Sequence, residues 1–316
     1  MYQAIPVATT FGIQAPPKMT TEGFADANHP RIPVRKEGYV FRKDHLRDVL
    51  AYLSKPAGDG LYITGPTGSG KTSLVTQVAA RLNWPVHAVT CHGRLELSDL
   101  IGQFTLVGGN MQFVHGPLAE SVRDGYLLIL NEIDLMDPSE LAGLNDIIEG
   151  NPLVIPQNGG EVIRPHPKFR VIATGNSAGS GDRVGLYQGV LQQNLAFLDR
   201  FRLIEIGYPE PDLEDSVLAK AVPGMPQVIR EKMIRVANEV RKLFVGTDDA
   251  PGAISLTMST RGLLRWAALT VSFKGAPNAL EYALERALTL RAEPEQRTAI
   301  HRIAADVFGD DWKTSP

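Results

Sequence analysis

Between residues 60 and 206 the apolar positions come in short unbroken runs separated by polar and glycine-rich stretches. Residues 61–64, 86–89, 126–130, 169–174 and 201–206 read as strands. The run at 126–130 lacks polar alternation, the pattern of a strand buried on both faces of a parallel sheet. Helical spacing appears from Lys43, with Leu46, Val49, Leu50 and Leu53 on one face, and again over 73–82 and about 138–149; residues 96–101 read as a short helix. Strands alternating with helices predict an α/β fold with a mostly parallel sheet and right-handed crossovers. Two pairs of apolar runs flank glycine-rich turns, 104–107 with 111–114 and 153–155 with 161–163, and predict β-hairpins.

After Pro209-Glu210-Pro211 the texture changes. Val228, Ile229, Met233, Val236, Ala237, Val240 and Phe244 recur at helical spacing, as do Leu263, Leu264, Ala267 and Ala268, and Leu280, Ala283, Leu284 and Leu288. Residues 1–38, rich in Pro, Thr, Ala and Gly, show no period and predict an extended arm. The expected organisation is therefore an arm over 1–38, an α/β nucleotide-binding domain over 39–208 and a helical lid over 209–316.

Gly65-Pro66-Thr67-Gly68-Ser69-Gly70-Lys71-Thr72 sits between a predicted strand and a predicted helix and matches the P-loop pattern. Glycines let backbone N–H groups turn inward on phosphate oxygens, and the helix N-terminus adds its positive dipole end. Lys71 then offers a point charge to the β- and γ-phosphates of ATP, and Thr72 a hydroxyl ligand for Mg²⁺.

Composition changes little in this picture. With 316 residues, 43% hydrophobic and 21% charged, the chain is large enough for two domains. A net charge of −3 with interspersed signs argues against nucleic-acid binding. The lone Cys91 rules out an internal disulfide, and no apolar run approaches the ~18 residues that span a bilayer. The N-terminus has no signal-peptide pattern, so a soluble cytoplasmic protein is expected.

Four further features bear on the chemistry. Asn131-Glu132 follows the apolar strand where a Walker B strand carries Asp-Glu. Glu132 suits the general base that polarises the attacking water. Asn131 can accept a hydrogen bond from a metal-bound water but brings no charge, so weaker Mg²⁺ retention and slower turnover are expected. Asn176, at a strand end, suits a polar sensor of the γ-phosphate, although turn chemistry is the bland alternative. Arg200, with Arg202 next, sits where a cation can reach a neighbouring subunit's phosphate as an arginine finger; a surface arginine at a helix C-terminus is the alternative. Arg261 begins a helix of the second domain and would touch its own subunit's γ-phosphate, while Ser259-Thr260 before it reads alone as an N-cap.

These features, in this order, resemble the AAA+ ATPases and, within them, the MoxR-type branch, whose two hairpin inserts correspond here to residues 103–116 and about 153–164. The resemblance narrows to the CobS family, the ATPase subunits of aerobic cobaltochelatase, through residues 10–13, 77–85, 162–167 and Gly185-Leu186-Tyr187, and it covers roughly 10–310. It implies a five-stranded sheet of order 5-1-4-3-2, a hexameric ring with ATP at each subunit boundary, and hairpins that pass lid motion to a partner. The implied partners are a von Willebrand A domain protein and a large chelatase subunit that holds the porphyrinoid. Asn131 and the loop pair Pro66-Thr67 depart from the family pattern. Three readings stay open: a remodelling motor, a hydrolysis-poor assembly switch, and a nucleic-acid motor.

Other polar residues read more plainly. Cys91, His87 and His92 lack metal-site spacing, so a packing role is expected of Cys91. His115 and His166 read as surface histidines beside the hairpins, and Trp84 and Trp266 as core. Asp134 and Asp137 read as solvated turn residues, with compensation for the missing charge at 131 as the alternative.

Overall fold

A computed structural model describes residues 1–181, 189–246, 252 and 254–312. The motif at Gly185-Leu186-Tyr187 lies outside the described residues. The chain divides into two compact units, residues 1–37, 41–66 and 71–206 in one and 38–40, 67–70 and 207–316 in the other.

The first unit opens with β1 (Tyr2–Pro6), α1 (Val7–Phe11) and β2 (Thr20–Phe24). β1 and β2 pair antiparallel, with Ile5 opposite Thr21. The expected loose arm is thus a folded part of the domain. Ile5, Val7 and Phe11 are buried, and the Phe11 ring meets Phe41 edge-on at 5.1 Å. The backbone N–H of Phe24 donates to Leu82 O at 2.9 Å. The strands are too short and too far apart in sequence to leave a periodic signal; pairing across a long turn and docking against the domain supply the order.

The core follows as α2 (Lys43–Ser54), β3 (Gly60–Thr64), α3 (Lys71–Arg81), β4 (Val86–Thr90), α4 (Leu97–Ile101), β5 (Gly102–Val107), β6 (Asn110–His115), α5 (Pro117–Asp124), β7 (Leu127–Asn131), α6 (Pro138–Ala142), α7 (Asn145–Ile148), β8 (Leu153–Ile155), β9 (Glu161–Ile163), β10 (Arg170–Thr174), α8 (Leu195–Leu198) and β11 (Phe201–Glu205). Five parallel strands lie in the order β11-β3-β10-β7-β4, which is 5-1-4-3-2 when the core strands are counted in sequence. β3, β7 and β10 are the inner strands, which explains their unbroken apolar runs: both faces are covered by helices.

The single helix expected over 138–149 is two short helices. At Gly143 and Leu144 the backbone bonds shift to i−3 acceptors, Glu140 O and Leu141 O. A Cβ on Gly143 would lie 2.3 Å from Leu97 Cδ2, so it is the missing side chain that gives Leu97 room.

Both hairpins form, β5–β6 and β8–β9. On the first, Phe104, Leu106 and Met111 are exposed; on the second, Val154 and Val162 are. His115 Nε2 meets Glu161 Oε2 at 2.7 Å and so ties one hairpin to the other.

The second unit carries α9 (Pro211–Ala221), α10 (Gln227–Val245), α11 (Thr260–Ser272), α12 (Ala279–Ala287) and α13 (Pro294–Phe308). Its interior includes a buried ion pair. Arg241 donates to Glu214 Oε2 at 2.6 Å and Oε1 at 2.7 Å, and to Met258 O at 2.8 Å. Thr260 Oγ1 adds a bond to Glu214 Oε1 at 2.9 Å, so the start of α11 is held to α9 and α10. Trp266 is fully buried here, as Trp84 is in the first unit. Among the described residues no helix is long and apolar enough to cross a membrane.

Phe11→Ala should destabilise the protein by about 3–5 kcal/mol, the cost of emptying a buried aromatic site. Urea unfolding of the two proteins measures it; an unchanged midpoint would mean that the N-terminal segment is not part of the cooperative core.

Candidate active site

β3 ends at Thr64 and the chain turns through residues 65–70 into α3. Gly65 has φ +138°, and a Cβ there would sit 2.2 Å from Ile206 O. No L side chain fits that approach. Gly68 and Gly70 also have positive φ, Pro66 is partly covered, Thr67 is exposed, and Ser69 is buried with an Oγ that has no hydrogen-bond partner among the described residues.

Lys71 is the first residue of α3. Its ammonium donates to Gly65 O at 2.6 Å, Pro66 O at 3.1 Å and Asn176 Oδ1 at 3.0 Å. All three acceptors are neutral. Burial pulls the amine down to about 8, against the opposing pull of the Asp134 and Glu132 carboxylates. Among the described residues no carboxylate bonds to this ammonium directly.

Thr72 Oγ1 donates to Asn131 Oδ1 at 2.7 Å, and Thr174 Oγ1 reaches the same oxygen at 3.4 Å. The sheet makes this meeting possible. β10 lies between β3 and β7, with Thr174 opposite both Ile63 and Asn131. Lys71, Thr72, Asn131 and Asn176 therefore converge at the carboxyl edge of the sheet, where open α/β sheets bind ligands. The Ser69 hydroxyl, without a partner among the described residues, and the Lys71 ammonium, bonded there to neutral oxygens, fit a phosphate, and the facing oxygens of Thr72 and Asn131 fit a hard divalent cation. The donor set thus suits a nucleotide with Mg²⁺.

Glu132 follows with φ +55° and ψ +43°, a left-handed conformation that costs a non-glycine residue about 1–2 kcal/mol. Its neighbour explains why it is tolerated. Ile133 is fully buried and pulls the chain inward, so Glu132 is pushed out at the strand tip with its side chain exposed.

Arg200 lies elsewhere. Phe201 pairs with Gly60, at the amino end of β3, so Arg200 stands about 16 Å of strand away from the loop after Thr64. It pairs with Glu149 at 2.7 Å and donates to Ala196 O, while its Nε has no partner among the described residues. Arg202 binds Asp59 at 2.8 Å. Arg261 is exposed in the first turn of α11, which Ser259 caps by accepting from Gly262 N at 3.0 Å.

Asp134 is the residue that sequence reasoning undervalued. Expected in a solvated turn, it is fully buried, and its Oδ2 accepts from the backbone N–H groups of Asn176 at 2.7 Å and Ser177 at 3.3 Å. A polar residue between Ile133 and Met136, both fully buried, was the available signal. Asp137 is exposed and caps α6 through Ser139 N at 2.8 Å. Cys91 is buried, and burial pushes its thiol up to about 12, as suits packing.

The model of the AAA domain (dynein-related subfamily) matches residues 60–201, and that of the CbbQ/NirQ/NorQ C-terminal family matches residues 214–307. The chain is 30% identical over 272 residues to the aerobic cobaltochelatase subunit CobS of Sinorhizobium sp, covering 83% of this chain and 79% of that protein. It is 31% identical over 265 residues to the protein NorQ of Paracoccus denitrificans, covering 83% and 92%. A RuvB variant from Thermotoga maritima shares the fold, with a TM-score of 0.50 at 13% identity, over 85% of this chain and 73% of that one.

Lys71→Ala should weaken binding of a fluorescent ATP analogue by about 2–5 kcal/mol, roughly 30-fold to several-thousand-fold. Parent-like affinity in a fluorescence titration would move the phosphate site away from this loop.

Proposed function

The chain belongs to the MoxR-type AAA+ ATPases, the group of CobS and NorQ, and from that premise we propose that it binds Mg-ATP at the loop after β3 and hydrolyses it slowly to remodel a partner protein complex. The convergence of Lys71, Thr72, Asn131 and Asn176 on one sheet edge carries this reading. When bound, Mg-ATP supplies the phosphoanhydride bond and a metal that neutralises developing charge.

The chain's own groups take these roles. Lys71 and the N–H groups of residues 65–72 hold the phosphates. Thr72 would offer its hydroxyl to Mg²⁺, and the Asn131 amide oxygen would accept a hydrogen bond from the ion's water shell. Glu132 accepts the proton of the attacking water, and Asn176 orients that water. Arg200 lies at the far edge of the sheet and is tied to Glu149, which supports action on a neighbour's phosphate in a ring rather than on its own. Arg261, exposed in the first turn of α11, is the residue for which the family resemblance implies a γ-phosphate-sensing role.

The exposed Phe104, Leu106, Met111, Val154 and Val162 of the two hairpins support contact with a partner, since apolar side chains held out in water gain from being covered. A von Willebrand A domain protein is the partner the family resemblance implies, with a hexamer as the ring. The motor of a cobalt chelatase is the narrower form of this reading. Near-equal identity to CobS and to NorQ, 30% and 31%, supports partners beyond a chelatase about as strongly. The neutral Asn131 favours a second reading, a switch that binds ATP and turns it over rarely. A nucleic-acid motor fits poorly with a net charge of −3.

Glu132→Gln should retain ATP while losing hydrolysis, and should hold the ring and its partner together through co-purification from the native host. Turnover equal to the parent's would sink the assignment of the base. Asn131→Asp should raise kcat about tenfold, the rate equivalent of ~1.4 kcal/mol of added charge stabilisation. A steady-state phosphate-release assay reads it, and an unchanged rate would mean that the amide already suffices.

A further inference from the structure

The end of β10 is gripped from two sides. From the loop after β7, the buried Asp134 carboxylate accepts the N–H groups of Asn176 and Ser177. From β3, the Tyr62 hydroxyl, on a side chain that is fully buried, donates to Ser177 O at 3.0 Å. Gly175 leaves room for both, because a Cβ there would lie 2.1 Å from Tyr62 Oη and 3.2 Å from Asp134 Oδ2. Past Thr174, Asn176 reaches the cradle, where its Oδ1 takes the third bond of Lys71.

We infer that Asp134 is a positioning residue for ATP hydrolysis, holding the Asn176 backbone so that the Asn176 amide stands at Lys71; this rests on the ATPase reading above. The physical argument is one of entropy and stake. A strand end leaving the sheet has several backbone conformations open to it. Two charge-assisted bonds to its N–H groups select one, and because they are buried, an alternative would leave the carboxylate without partners. Asp134 Oδ1 already has no partner among the described residues, so the carboxylate's hold on this segment rests entirely on Oδ2. An exposed aspartate could not make that demand. Asp134 touches no reacting atom. It acts through Asn176, and that dependence is what a measurement can isolate.

The test is a double-mutant cycle on the full chain, with kcat, KM and the Kd of a non-hydrolysable ATP analogue measured for each protein. Asn176→Ala should lower kcat about 30-fold, and Asp134→Ala by a similar factor, with analogue affinity kept within about threefold. The double variant should be no slower than Asn176→Ala alone, because the clamp then has nothing to place. Asp134→Asn keeps an acceptor oxygen and should recover to within about fivefold of the parent. If the two effects multiply to nearly a thousandfold, if Asp134→Ala matches the parent, or if Asp134→Asn is as slow as Asp134→Ala, the inference is overturned while the ATPase reading stands. A parent that neither binds nor hydrolyses ATP defeats both. Should Asp134→Ala fail to fold, Tyr62→Phe loosens the same segment by a single hydroxyl. Its loss of about threefold in kcat should vanish in the Asn176→Ala background, and a loss that persists there overturns the inference equally.

Discussion

A lysine ammonium, partly withdrawn from water and given only neutral acceptors, is the constraint around which this site is arranged. Two backbone carbonyls and one amide oxygen hold Lys71, and among the described residues no carboxylate pairs with it directly. Burial of the amine outweighs the pull of the Asp134 and Glu132 carboxylates, and its depressed basicity reports that cost. The arrangement is tolerable because the rest of the fold is rigid. Tyr62 and Ile63 of β3, Leu127–Leu130 of β7 and Ile172–Ala173 of β10 are almost wholly excluded from solvent, so the strand ends that carry the acceptors cannot drift. A triphosphate would supply the missing charge, which makes phosphate binding the relief of a built-in imbalance.

Negative charge is distributed unusually around that cation. Asn131, where the family resemblance leads one to expect aspartate, faces Thr72 with a neutral oxygen. The buried carboxylate of the segment is instead Asp134, three residues on, turned toward the backbone of β10. Between them Glu132 is held in a left-handed conformation by the burial of Ile133. Charge, strain and hydrogen bonding within four residues thus divide the work. One side chain faces the Thr72 hydroxyl, one is pushed into solvent at the strand tip, and one secures the neighbouring strand.

Outside the cradle, the fold uses contacts that join distant parts of the chain. The N-terminal sheet is anchored by Phe11 against Phe41 and by Phe24 on Leu82. The hairpins meet through His115 and Glu161, with Asn158 donating to the same carboxylate at 2.7 Å. In the helical unit, Glu214 and Arg241 hold the start of α11. Phe11 against Phe41 adds apolar burial, whereas the polar links are buried or half-buried and fix a geometry more than they add stability.

Local pattern alone determined a good deal about this protein. The five core strands, both hairpins, the helical second unit and the loop from Gly65 to Thr72 were legible because each is written in consecutive residues: unbroken apolar runs, glycine turns, and a motif whose chemistry follows from its spacing. The order of the sheet came through family resemblance, since no local period encodes which strand lies beside which. Tertiary structure decided what depends on distant partners. It turned residues 1–37 from an arm into a packed sheet and helix, split the helix at Gly143 beside Leu97, buried Asp134 against β10, and put Arg200 at the sheet edge opposite Lys71. The reason is the same throughout. An aspartate in a turn and an aspartate in a core read alike along the chain, and only the approach of another strand, bringing N–H groups that need an acceptor, distinguishes them.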